Sequence, residues 1–264
     1  MLLLALGLLA SPHAAPVHAA LLARGDVAFA SRADPVRLAE AIEAFGRAAT
    51  LHPGDAEAEI RLARAEAFRA IAEPGVAREA WVASSRAAER ALRKISPDWA
   101  AAVDAGDLVG APARVRPEGA EALYWLALAT WSSAQSKGLA ALLAVKDPAL
   151  AAMERAAALD GGTDCAGPHR ALGAWTAALP SAVGGGVARS RRHFEEARAR
   201  GAGCLLNRVR EAESLIVLLQ DRAAFEKALA EVEGATDTDP LWAPENGVAR
   251  RLARDLQGRA ARLF

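Results

Sequence analysis

A small residue, a large apolar residue and another small residue recur along this chain at one helical spacing, and that recurrence narrows the fold more than any other feature. In AIEAFGRAATLHP it aligns Ala41, Phe45, Ala48 and Leu51, with Pro53 just beyond. In ALAAMERAAALD the same spacing holds Ala149, Met153, Ala156 and Leu159. It returns in shorter form as Phe194 with Ala197 and as Phe225 with Ala228. Steps of three and four residues put these side chains on one face of an α-helix, and no stretch alternates apolar and polar as a half-buried strand would. Alanine, the best helix former, is abundant and β-branched residues are sparse. Spacing and composition together predict an all-α chain with little or no sheet.

In such a pattern the small residue lets two helices approach and the large one fills the gap between them, which is the second-helix signature of a tetratricopeptide-type hairpin. First helices can be matched to these. Leu172-Gly173 sits where that repeat carries its Leu-Gly, and EALYWLALATW (121–131) and LLNRVREAESLIVLL (205–219) supply longer ones. Residues 96–117 hold Gly, Pro and Asp at short intervals and predict an extended loop interrupted by one short helix. Residues 244–264 predict a terminal helix that caps the stack. No long low-complexity linker divides the chain, so residues 20–264 read as one TPR-like helical-hairpin α-solenoid with additional helices.

With 264 residues, 53% of them hydrophobic and 24% charged, the chain can bury a large core. Its 32 basic and 32 acidic residues balance, whereas a nucleic-acid binder carries a basic excess, so DNA and RNA are set aside as partners. The N-terminal MLLLALGLLA is apolar but too short to span a bilayer as a helix. Small residues follow it, and Val17-His18-Ala19 fits a small-x-small cleavage site, so residues 1–19 read as a secretory signal cut near Ala19. No Lys or Arg precedes the apolar run, the first basic residue being Arg24, and a buried N-terminal helix or a retained membrane anchor are the alternatives. No cysteine closes the apolar run, so a lipoprotein-type anchor has no acceptor. The two cysteines, Cys165 and Cys204, form no CxxC pair, and a single disulfide between them is left open.

One stretch invites a chemical reading: CAGPHRALGAWTAALPSAVGGGVARSRRHFEEA, residues 165–197. Gly167-Pro168 starts a helix, because proline is tolerated in a first turn. Pro180 and Gly184-Gly185-Gly186 end it, and ARSRRHFEEA opens its partner. Three glycines before a helix suggest an anion site, but Val187-Ala188-Arg189 replaces the Gly-Lys-Ser/Thr that a P-loop needs, so the glycines read as a turn. His169 is the natural acid–base candidate. A catalytic role requires a partner such as Asp164 or Cys165, and a metal site requires more ligands than His52 and His193 offer at any recognised spacing. No HExxH, GxSxG or CxxC occurs, so neither a metal, a cofactor nor an enzymatic activity is expected. Arg189-Ser190-Arg191-Arg192, facing Glu195 and Glu196 within a turn, reads as a solvated helix face. Tyr124, Trp125, Trp131 and Trp175 crowd neighbouring helices; they read as core or as the wall of an apolar ligand groove. Tyr124 and Trp131 share a face and Trp125 points elsewhere.

In their order, ALYWLALATW, GLAALLAVKDPALAAMERAAALD, GPHRALG with Pro180 and Gly185-Gly186, RRHFEEA, DRAAFEKALAEV and PENGVARRLARDL resemble the T component of TPR-associated TRAP transporters, the TatT-like periplasmic proteins. The resemblance covers roughly residues 25–264 and is strongest from Glu121 onward. It implies an all-α protein of TPR-like hairpins with additional helices enclosing an apolar channel. It further implies a non-enzymatic periplasmic accessory part that binds a small hydrophobic or organic-acid ligand, docks the solute-binding P component and can form a homotrimer. The loop residues Gly167, Pro168, His169, Arg170, Gly185 and Gly186 match the family motif without an assigned role, and Val187 stands where the family carries an acidic residue. The competing reading is a generic TPR scaffold whose concave face, lined by Asn, Lys and Arg, clasps a peptide or protein.

Overall fold

The computed structural model describes residues 14–237 and 239–264, so most of the expected signal segment lies outside the described residues. Among those described there is helix and no strand. Helices α1 (Ala14–Ala30) and α2 (Pro35–Leu51) form the first hairpin and α3 (Glu57–Ala72) and α4 (Ala77–Ile95) the second. The short α5 (Pro97–Asp104) then leads through two 3-10 turns, Ala111–Arg114 and Pro117–Gly119, to α6 (Ala120–Lys137). α6 pairs with α7 (Leu139–Asp160), and α8 (Thr163–Ala178) with α9 (Val187–Arg200). The last part comprises α10 (Leu205–Glu211) with a π-helical turn at Ala212–Ile216, then α11 (Arg222–Gly234), α12 (Ala243–Gly258) and α13 (Ala260–Leu263). The terminal helix expected at 244–264 is thus broken at Arg259, whose φ of −104° and ψ of 0° leave the helical range.

The recurring small and large residues are what hold the hairpins together. Ala41, Phe45 and Ala48 of α2, Met153 and Ala156 of α7, Phe194 and Ala197 of α9, and Phe225 and Ala228 of α11 are all buried. The large member of each set needs a matching gap on the first helix. A Cβ at Gly25 of α1 would lie 2.3 Å from the Phe45 ring, and one at Gly173 of α8 would lie 2.8 Å from the Phe194 ring. Two hairpins distant in sequence therefore use the same lock, a glycine on the first helix receiving a phenylalanine from the second. In the α3–α4 hairpin Ser84 stands at the contact, buried, with its hydroxyl donating to Ala63 O at 2.8 Å. Ser190 on α9 is likewise fully buried and donates to Gly173 O at 2.8 Å. That corrects the reading of 189–192 as a wholly solvated run: Arg189 pairs with Glu154 on α7, and Glu196 with Arg200.

The two ends of the array are tied to each other. Arg32, just after α1, donates Nε to Glu245 Oε1 at 2.8 Å and Nη2 to Glu245 Oε2 at 2.6 Å, a bidentate pair with both side chains almost wholly buried. Arg251 on α12 donates to Ala72 O at the end of α3 at 2.8 Å. An uncompensated charge at this depth would cost several kcal/mol, so the pair holds the first hairpin against the last helix. Near the other end of α1, His18 Nε2 lies 2.7 Å from Asp55 Oδ2 and its ring packs on His52. A cut near Ala19 would remove that contact. None of the described helices is long and apolar enough to cross a membrane.

The glycine locks give a direct stability test. Gly173→Ala forces a methyl into the Phe194 ring and is expected to cost about 1–3 kcal/mol in urea unfolding. Gly46→Ala, on α2 with open space around its Cα, is expected to raise stability by about 0.5–1 kcal/mol through helix propensity.

Candidate functional site

The first helices of the hairpins turn their inner faces to one central cavity of about 810 Å3. Its apolar wall is strongly aromatic. Trp81, Trp125, Trp131, Trp175 and Trp242, five of the chain's six tryptophans, line it, and only Trp99 belongs wholly to the core beside it. Trp131 of α6 and Trp175 of α8 stack face to face, with ring centroids 4.2 Å apart and planes 9° off parallel. Tyr124 and Trp125 touch at 4.5 Å. All four aromatic residues singled out from the sequence therefore meet at one cavity. Trp125 does not point away: neighbouring positions on a helix are about 100° apart, and the cavity is wide enough to take in Glu121, Tyr124, Trp125, Leu128, Trp131 and Gln135 of α6.

Beside this wall lies a buried polar cluster built on an unusual turn. Asp164, Cys165 and Ala166 have φ values of 50, 54 and 62°, a left-handed turn before the right-handed run of α8 resumes at Gly167. Each such residue without glycine's freedom costs about 1 kcal/mol or more. Arg170, one turn further along α8, holds the turn in place. Its Nη2 donates to Asp164 Oδ2 at 2.5 Å and to Tyr124 Oη at 3.3 Å, and its Nη1 donates to Asp164 O at 3.2 Å and to Asn207 Oδ1 at 3.0 Å. Asn207 of α10 in turn donates to Cys165 O at 3.2 Å and to Ala197 O at 2.9 Å. Burial opposes the charge on Arg170, but Asp164, with Tyr124 and the two cysteines, together outweigh that and raise its pKa. Burial, and then the Asp164 carboxylate, push the Tyr124 phenol well above its ordinary value, so its hydroxyl keeps its proton and donates to Asp164 Oδ2 at 2.5 Å.

The GPHR motif can now be taken residue by residue. Gly167 is needed for clearance, since a Cβ there would lie 2.3 Å from Tyr124 Oη. Pro168 stands at the start of the right-handed helix, where no hydrogen-bond donor is required. Arg170 is the anchor of the cluster. His169 faces away from the cavity: its Nδ1 lies 3.2 Å from His193 Nδ1, and its Nε2 side covers Gly161. Asp164 is taken by Tyr124 and Arg170, so it is not the partner an acid–base His169 requires. Gly185 and Gly186 form the turn between α8 and α9. Gly185 packs against the Leu179 carbonyl, and Gly186, with φ of 107°, donates its N–H to Thr176 O at 2.8 Å. Among the described residues no group of three or more His, Cys, Asp or Glu is placed to hold a metal ion.

Several cavity residues carry no sequence signal. Phe29, Phe68, Trp81 and Trp242 come from α1, α3, α4 and the turn before α12, and only the closure of the array brings them together. Arg64 of α3 lies in the same wall with its guanidinium carbon 4.9 Å from the Phe29 ring centroid. Its nearest carboxylate, Glu121, is 3.9 Å away and also accepts from Trp125 Nε1. Nε of Arg64 has no hydrogen-bond partner. The π-helical turn of α10 adds Glu213 and Ser214 to the rim.

Two consequences are measurable. Asp164→Ala leaves the Arg170 charge buried without its carboxylate and is expected to destabilise the chain by about 3–5 kcal/mol in denaturant unfolding. Burial, then the neighbouring His169, bring His193 down to about 4 from its ordinary 6.5. Its depressed folded-state pKa means that stability present above 6.5 is lost as pH falls toward 4, because the unfolded chain takes up the proton first. A thermal-stability profile between those limits is expected to flatten in His193→Gln.

The cavity, the hairpin array around it and the loop motifs can be set beside known proteins. A comparison with curated proteins finds no match. A family model described as TRAP transporter T-component matches residues 40–264, which takes in most of α2, every hairpin from α3 onward and all of the polar cluster. With that match over most of its length, and with an all-helical solenoid-like architecture to accompany it, the chain belongs to the TRAP transporter T-component family.

Proposed function

We propose that the central cavity binds a small apolar or organic-acid ligand, and that the protein presents this site as a non-enzymatic accessory to the solute-binding P component of a TRAP transporter in the periplasm. The observation that carries the reading is a cavity of about 810 Å3 walled by five tryptophans. That volume lies within the range of small-molecule sites, which are mostly apolar with a few placed polar groups. The stacked Trp131–Trp175 pair and Leu128 offer a flat apolar surface. Arg64 is the wall cation with the weakest internal partner, since Arg32, Arg170 and Arg210 each pair closely with Glu245, Asp164 and Glu213. It is the group that would meet a ligand carboxylate. The aromatic wall supports this reading over a peptide-clasping scaffold, whose concave face would carry Asn, Lys and Arg. Family membership supports the transporter context, and docking of the P component, assembly into a homotrimer and export through the N-terminal segment are parts of the same proposal.

Native mass spectrometry of the protein isolated from its own periplasm tests it. The expected result is a retained small molecule or a co-purifying solute-binding protein. Trp175→Leu, which keeps an apolar side chain but removes half of the stack, is expected to weaken retention about tenfold. A bare monomer with no ligand and no partner would overturn the reading.

A further inference from the structure

Cys165 and Cys204 are the chain's only cysteines, and the fold brings them together. Both are free thiols and both are buried, with 6% and 4% of their surface exposed. They lie in one apolar cluster, close enough that each thiol is the largest influence on the other's titration. The surrounding backbone holds them there without help from either sulfur. The loop before α10 wraps the Cys165 carbonyl: Asn207 donates to it at 3.2 Å, and a Cβ on Gly201 would lie 2.5 Å from it. Cys204 N–H donates to Gly201 O at 3.1 Å in the same loop. A single buried cysteine is adequately explained as a small apolar filler. Two facing thiols, one of them in the middle of a left-handed turn, are a different arrangement.

We propose that Cys165 and Cys204 form an intramolecular disulfide, the dithiol described above being its reduced form. The link ties the left-handed turn at 164–166 to the loop that opens α10, and so braces both sides of the cluster that Arg170 and Asn207 hold at the cavity. In the open chain either cysteine, as its thiolate, can be the first nucleophile, Cys204 for instance. Its sulfur attacks an external disulfide, either glutathione disulfide or the disulfide of a thiol oxidoreductase, and expels one thiolate, leaving a mixed disulfide. Cys165 then loses its proton, attacks the Cys204 sulfur and expels the second thiolate, and the two expelled thiolates take up the protons released. Two protein thiols are oxidised and one external disulfide is reduced to two thiols. Because both cysteines are buried in the folded chain, the exchange takes place while the α8–α10 region is open, during folding.

The whole chain, unfolded and refolded in a mixture of reduced and oxidised glutathione, provides the test, with no ligand or transporter partner in the assay. After alkylation under denaturing conditions, the expected product lacks the mass of two hydrogens, carries no alkyl group and yields a peptide joining Cys165 to Cys204. Its melting temperature is expected to stand about 5–10 °C above that of the same protein treated with dithiothreitol. Cys204→Ala is expected to show neither the link nor the shift. Alkylation of both cysteines, or glutathione adducts in place of the link, in the refolded wild-type chain would overturn the proposal without touching the ligand reading.

Discussion

A guanidinium buried among three helices is the point on which the cavity side of this structure depends. Arg170 joins Asp164 of its own helix, Tyr124 of α6 and Asn207 of α10. The contacts to Tyr124 and Asn207 join α8 to α6 and α10. A charge in that position is costly unless nearly all its donors are used, and the left-handed turn at 164–166 is the device that brings the carboxylate and two carbonyls within reach of it. The hydrogen bonds that the guanidinium makes to the turn offset both the strain of the turn and the cost of burying the charge. The arrangement also explains why Gly167 lies against the Tyr124 hydroxyl, since any side chain there would displace the phenol from Asp164.

A second buried pair does the same at the seam of the array. Arg32 and Glu245 come from opposite ends of the chain, and the guanidinium carbon of Arg32 also lies 4.6 Å from the Phe29 ring centroid. Burial raises the Glu245 carboxyl above its ordinary value while Arg32 opposes that rise. Hairpin packing alone leaves a solenoid open at its ends. With the seam joined, the inner faces of the first helices line one cavity, and Trp242 is brought to the same wall as Trp131.

The polar groups of the cavity are mostly spoken for, which bears on what the site can do. Asp164, Glu245 and Glu213 each hold an arginine, and His169 is turned outward against His193. What the wall does offer is apolar area, a stacked indole pair and one loosely paired cation. Those are the features on which the proposed binding of a small apolar or organic-acid ligand rests.

Much of the architecture was legible in the sequence because helix packing is local. The spacing of Ala41, Phe45 and Ala48, repeated at Ala149, Met153 and Ala156, specifies a helix face by its periodicity, and glycines such as Gly173 mark where a partner ring enters. Ordered motifs from Glu121 onward were enough to indicate the family. The aromatic residues were visible as a group, but whether Trp125 shared a surface with Tyr124 depended on how wide a space α6 faces, which periodicity does not encode. Ser190 read as part of a solvated basic run until the packing of α9 on Gly173 buried it. The sequence by itself determined the hairpins, because each is set by residues within about forty positions of one another. Only the tertiary structure decided the cavity, because its wall requires Phe29, Trp131, Trp175 and Trp242 to converge, and that convergence rests on ion pairs such as Arg32–Glu245 whose partners no local pattern connects.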